Sequence, residues 1–158
     1  MGCDLAQLNI GRLVASVDDA RIDDFRNALP AINALGEASP GFVWRLVGAG
    51  ETTGATDLRW PDAPDDPLMI VNLTVWTDVA SLRAFAYRGP HAEFFRRRRE
   101  WFEPMDEHLV LWWIATGHQP SLHEASERIA ALRANGPTAT AFTLRTAFGA
   151  DGVAERGA

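Results

Sequence analysis

Leu-Met-Ile-Val-Asn-Leu-Thr-Val-Trp, residues 68–76, is the clearest strand in the chain. With a side-chain period of two, Asn72, Thr74 and Trp76 share one face, and Val71, Leu73 and Val75 share the other. Neutral polar groups at strand centres need partners once buried, so the first face is the one to watch for chemistry. Upstream, Phe-Val-Trp-Arg-Leu-Val at 42–47 reads as a short strand, separated from the first by a Gly-, Thr-, Asp- and Pro-rich connection over 48–67. A connection of that length is a lid or a mobile loop. Further back, residues 4–14 read as a strand with Gln7 and Asn9 on one face. Asp18 or Asp19 then caps a helix whose stripe is Ile22, Phe25, Leu29, Ile32 and Leu35. Pro30 predicts a kink or break in it, and Gly36 with Ser39-Pro40-Gly41 ends it.

Downstream, Asp78 caps a helix carrying Val79, Leu82 and Phe85. Gly89-Pro90 interrupts it, and a second segment from His91 places Phe94, Phe95, Arg98, Trp101 and Phe102 on one face. Residues 108–115 are a last strand, in which adjacent Trp112 and Trp113 point to opposite faces. Ser121 with Glu124 is a capping box for a final helix through Ile129 and Leu132, closed by Gly136-Pro137. The order β-α-β-β-α-β plus one C-terminal helix predicts an α+β, ferredoxin-like fold: an antiparallel four-stranded sheet with two helices on one face. The other face needs a cover, and stacking two sheets into a homodimer, a dimeric α/β barrel, supplies one. We expect a single domain over residues 1–148 and a disordered tail over 149–158.

The chain has 158 residues and a net charge of −6, and all 15 basic residues are Arg. Without Lys there is neither a Schiff-base enzyme nor a P-loop. An acidic domain is a poor match to nucleic acid, whose binders carry a basic footprint. The four arginines at 96–99 do not reverse this, because Glu93, Glu100 and Glu103 stand at i,i+4 spacing to Arg97, Arg96 and Arg99. One cysteine, Cys3, excludes an intrachain disulfide. Apolar runs are too short for a membrane span, and no signal peptide is visible, so we expect a cytoplasmic protein.

Ser39-Pro40-Gly41-Phe42-Val43, Asn72-Leu73-Thr74-Val75-Trp76, and Ser81-Leu82-Arg83-Ala84-Phe85 leading to Pro90-His91-Ala92-Glu93-Phe94 resemble the dimeric α/β-barrel superfamily, which includes the antibiotic-biosynthesis monooxygenases. Leu5-Ala6-Gln7-Leu8-Asn9, the stretch 87–91, the run from Arg96 to Phe102, Leu111-Trp112-Trp113 into Gly117-His118-Gln119-Pro120, Gly136-Pro137-Thr138, and Ala141-Phe142 resemble an uncharacterised bacterial domain-of-unknown-function family, number 3291. The likeness covers residues 4–148. It implies a small hydrophobic ligand held between sheet and helices; superfamily members include cofactor-free oxygenases, isomerases, haem enzymes and plain binders.

His91, at a helix start beside aromatic residues, is the candidate base, since a neutral imidazole suits proton abstraction near neutral pH. Arg98, without a carboxylate at helical spacing, and Asn72 are candidates for stabilising developing negative charge. Tyr87, Trp76, Trp113, Phe95, Phe94, Asn9 and Trp44 are candidates to shape the pocket. The blander reading gives the tryptophans to core packing and lets His91 merely cap its segment. No metal-ligand spacing is present: His118 and His123 lie five apart across a turn. A haem on His91 or His118 is implied only by the resemblance, and we expect no cofactor. The expected function is oxygenation, isomerisation or cyclisation of an aromatic or polyketide-like metabolite in secondary metabolism. The alternatives are a non-catalytic binding or accessory dimer and, third, a haem-binding enzyme. An open apolar pocket of roughly 300 Å³ beside His91 separates enzyme from accessory protein.

Overall fold

Strand β1 (Cys3–Arg12) is the centre on which the chain assembles. The structure, a computed structural model, describes residues 2–48 and 58–156. Asp19 caps a 3₁₀ turn, Ala20–Ile22, by accepting from the Arg21 amide, and the turn runs into helix α1 (Asp23–Glu37). This helix continues through Pro30, so of the expected kink or break the break does not occur. Strands β2 (Phe42–Arg45) and β3 (Met69–Trp76) follow. Then come α2 (Val79–Tyr87), α3 (Pro90–Arg96), β4 (Leu109–Ala115) and α4 (Leu122–Asn135). The sheet order is β2-β3-β1-β4, and β1 runs antiparallel to both neighbours. This is the ferredoxin-like order expected from the sequence.

Register sorts the side chains into two faces. Leu5, Gln7 and Asn9 stand opposite Trp76, Thr74 and Asn72, and Leu5, Gln7 and Asn9 also stand opposite Trp113, Leu111 and Leu109. Helices α1 and α2 lie over this face: Val79 and Leu82 pack with Leu5, Trp76 and Leu111, while Phe25 and Leu29 pack with Ile70. The other face carries Ala6, Leu8, Val71, Leu73, Val75, Val110 and Trp112. Ala125, Ile129 and Leu132 of α4, together with Trp60, close it. The chain therefore covers the face on which the expectation of a sheet-on-sheet dimer rested.

The connection expected as a lid is described from residue 58 onward. Its Leu58, Trp60 and Ala63 pack on the α4 side of the sheet, and Asp62 accepts from the Ser126 hydroxyl at 2.9 and 3.0 Å. Residues 49–57 of that expectation lie outside the described residues. The expected frayed tail is also bonded: the Gly149 amide donates to Val153, and Glu155 to Ala147. It follows Phe142, Leu144, Ala147 and Phe148, which pack with Leu111 and Trp113 in the same apolar cluster as Val79 and Leu82 of α2. Among the described residues, no helix is long and apolar enough to cross a membrane.

Candidate functional site

Between α1, α2 and the strand β3 lies a partly open cavity of about 50 Å³. Ile32, Asn33 and Gly36 of α1, Phe42 and Arg45 of β2, Asn72, Thr74 and Trp76 of β3, Phe85 of α2 and His91 of α3 line it. Two backbone features build these walls. Gly41 has φ +84°, and a Cβ there would meet Ser81 at 2.3 Å, so the turn into Phe42 needs glycine. Gly89, at φ +72°, separates α2 from α3 and sets His91 one residue inside the new helix.

His91 Nδ1 lies 3.1 Å from the carbonyl oxygen of Ala86. A carbonyl only accepts, so Nδ1 carries the proton and Nε2 keeps a lone pair. Burial holds the imidazole pKa below its ordinary value, only partly opposed by the Ala86 bond. The ring is therefore neutral at pH 7. Its wall is Phe85, with ring centres 4.5 Å apart, rather than the expected Phe94 and Phe95.

The polar row on β1 and β3 is half satisfied. Thr74 donates to Gln7 Oε1 at 2.7 Å and accepts from the Trp76 indole at 2.9 Å. Trp76 is 1% exposed and presents its ring between Phe42 and Phe85, with centres 5.5 and 5.2 Å away. Next along the strands, Asn9 pairs in register with Asn72, and Asn9 Oδ1 is buried without a hydrogen-bond partner among the described residues.

The other expected site residues fall elsewhere. Arg98 lies past the end of α3, where Nη1 meets His108 Nε2 at 3.2 Å and the guanidinium stacks on Phe95 at 4.5 Å. Helix α3 stops at Arg96, so the i,i+4 ion pairs expected over 93–103 are not made; Arg97 instead pairs with Glu100 and Asp24. Phe94 packs on Phe25 and Trp101, and Tyr87 and Phe95 flank a surface groove with Arg96. Trp113 faces the C-terminal segment and donates to the Phe148 carbonyl at 2.7 Å. Trp44 lies on the α4 side, because a bulge between Phe42 and Trp44 shifts the register by one residue and turns it over. The same bulge puts Arg45 opposite Thr74 on the cavity side. Sequence reading passed over Arg45 and Asn33: a two-residue alternation has no sign of a bulge, and Asn33 is one polar residue on a helix.

A haem does not fit these residues. The cavity is far below the roughly 300–1,000 Å³ of pockets that enclose drug-sized ligands. His118 Nε2 is 2.8 Å from Glu124, whose other oxygen accepts from the Trp112 indole at 2.8 Å. Among the described residues, no cluster of three or more His, Cys, Asp or Glu could hold a metal ion.

Strand order, helix placement and a small cavity walled by aromatic rings define an α+β, ferredoxin-like protein with a candidate small-molecule site. The chain belongs to the family described as Domain of unknown function (DUF3291), which matches residues 4–157. No curated protein matches it. Among solved structures it is similar to SnoaB, a cofactor-independent oxygenase from Streptomyces nogalater: identity 16%, TM-score 0.46, 73% of this chain and 95% of that one covered. It is similar also to Rv0793 from Mycobacterium tuberculosis, at 10% identity and TM-score 0.48, with 75% and 99% covered. PA3566 from Pseudomonas aeruginosa matches at 12% and 0.47, with 77% and 98% covered.

Proposed function

We propose that the protein is a small-molecule enzyme of secondary metabolism acting on a hydrophobic, aromatic or polyketide-like metabolite without a cofactor. The observation that carries this is the His91 imidazole: Nδ1 is tied to Ala86, Nε2 keeps a lone pair, and the ring lines a cavity walled by Trp76, Phe42 and Phe85. Nε2 takes a proton from a carbon beside a carbonyl, or from a phenol. The Asn72 amide donates to the oxyanion that forms, inside an apolar wall where such a bond is strong. An enolate or phenolate made this way is the common starting point of oxygenation, isomerisation and cyclisation. Arg98, expected to share the oxyanion, is held by His108 and Phe95 and takes no part.

Proton abstraction can be read without knowing the substrate, as deuterium exchange beside the carbonyl of enolisable aromatic ketones in D₂O. His91→Ala is expected to lower that exchange by about 10²–10⁴-fold. Exchange unchanged in the variant sinks the assignment.

The second reading is a non-catalytic binding or accessory protein. The mutual saturation of Gln7, Thr74 and Trp76 favours it, as does a volume well under the threshold set from the sequence. It predicts saturable binding of aromatic ketones with no exchange above that of free imidazole.

A further inference from the structure

The geometry points to an anionic oxygen group, a carboxylate or enolate, as the part of the ligand that enters the cavity, with Arg45 as the residue that selects it. This rests on the cavity being the ligand site. Among the described residues that line the cavity Arg45 is the one formal charge, with no Asp or Glu among them, and His91 beside it is neutral. The Arg45 side chain is 21% exposed, so its charge is only partly screened by water. Glu37, at the end of α1, holds the guanidinium from outside the lining by accepting from Nε. A guanidinium held at Nε still has its Nη groups, the fork that matches two oxygens of one planar anion.

The remaining polar set agrees. Thr74 is spent on Gln7 and Trp76, which leaves the Asn33 and Asn72 amides as donors. Each amide can turn its NH2 group toward the cavity, and with the Arg45 cation these donors on three elements complement a group rich in oxygen lone pairs. Size argues the same way. A cavity of about 50 Å³ is far below the roughly 300–1,000 Å³ that encloses a drug-sized ligand, so a small group of the ligand enters and the rest stays outside.

Benzoate and benzamide have the same shape and differ in charge, so they isolate the claim. Each is titrated into the full chain and followed by the Asn33 and Asn72 amide and Trp76 indole resonances. Benzoate is expected to bind at least about tenfold more tightly than benzamide, the scale of one charge-assisted bond. Arg45→Met should bring the ratio to about one with benzamide unchanged, and Arg45→Lys should keep part of the preference. Raised salt should weaken benzoate alone. If Arg45→Met fails to fold, the Arg45→Lys ratio and the salt dependence decide. Equal binding of the two probes by the native chain overturns the anion inference and leaves the cavity reading standing. Binding of neither probe overturns both.

Discussion

The two faces of this sheet come from the same four strands and have been put to opposite uses. On the α4 side, Ala6, Leu8, Val71, Leu73, Val75, Val110 and Trp112 form an apolar layer closed by Ala125, Ile129, Leu132 and Trp60. On the α1–α2 side, the same strands present Gln7, Asn9, Asn72 and Thr74 among Leu5, Trp76 and Leu111. Alternation along β1 and β3 makes this division cheap, since one residue's step changes the face. The first face is apolar throughout its strands, whereas the second mixes polar with apolar groups and holds a cavity and an unsatisfied polar atom.

The largest expected effect tests the apolar side. Trp112 is fully buried, and its indole donates to Glu124, which also holds His118. Trp112→Ala should cost about 3–5 kcal/mol by loss of contacts and cavity formation, a drop of roughly 10 °C in Tm by calorimetry. Asn72→Leu, on the polar side, should change Tm little while lowering deuterium exchange. If Asn72→Leu costs as much as Trp112→Ala, the division of labour is wrong.

Acidity probes the polar side next. The His91 pKa is lower folded than unfolded, where it takes its ordinary value near 6.5. The unfolded chain therefore binds the proton more readily, and folding stability rises with pH through that region. His91's contribution is complete above about pH 6.5 and declines as pH falls below it toward the folded-state pKa. Urea unfolding between pH 5 and 7.5 should show this slope, and His91→Phe should reduce it. Exchange activity should hold to a pH below the ordinary histidine range and then fall, because Nε2 must be unprotonated. A midpoint above 6.5 contradicts the burial that sets the direction.

Much of this contrast was legible in the residue order. Asn72, Thr74 and Trp76 share a face as their spacing requires, and Trp112 and Trp113 point apart. Ser121 caps α4 through the Glu124 amide as the motif implies, although the Glu124 carboxylate goes to Trp112 and His118. What sequence could not place depended on tertiary events. The bulge in β2 exchanged Trp44 for Arg45, and the early end of α3 carried Arg98 to His108. The part Trp60 plays in covering the second face was not legible, because it sits in a segment without period that docks near the Asp62–Ser126 bond.

The smallest expected effect concerns Asn9. Its Oδ1 is buried with no hydrogen-bond partner among the described residues, opposite Asn72. An unpaired buried acceptor costs about 1–3 kcal/mol, so an apolar residue of similar size removes a penalty as well as an amide. Asn9→Leu should leave the unfolding free energy unchanged or raise it by about 1 kcal/mol, whereas Trp112→Ala can only lower it. The same substitution tests what the orphan atom is for. If Asn9 supports the Asn72 amide from the neighbouring strand, Asn9→Leu lowers exchange while Tm holds. If Asn9→Leu loses more than about 1 kcal/mol, the acceptor is satisfied in solution. The polar side would then be as fully bonded as the apolar side is packed, and the contrast between the faces would narrow to charge alone.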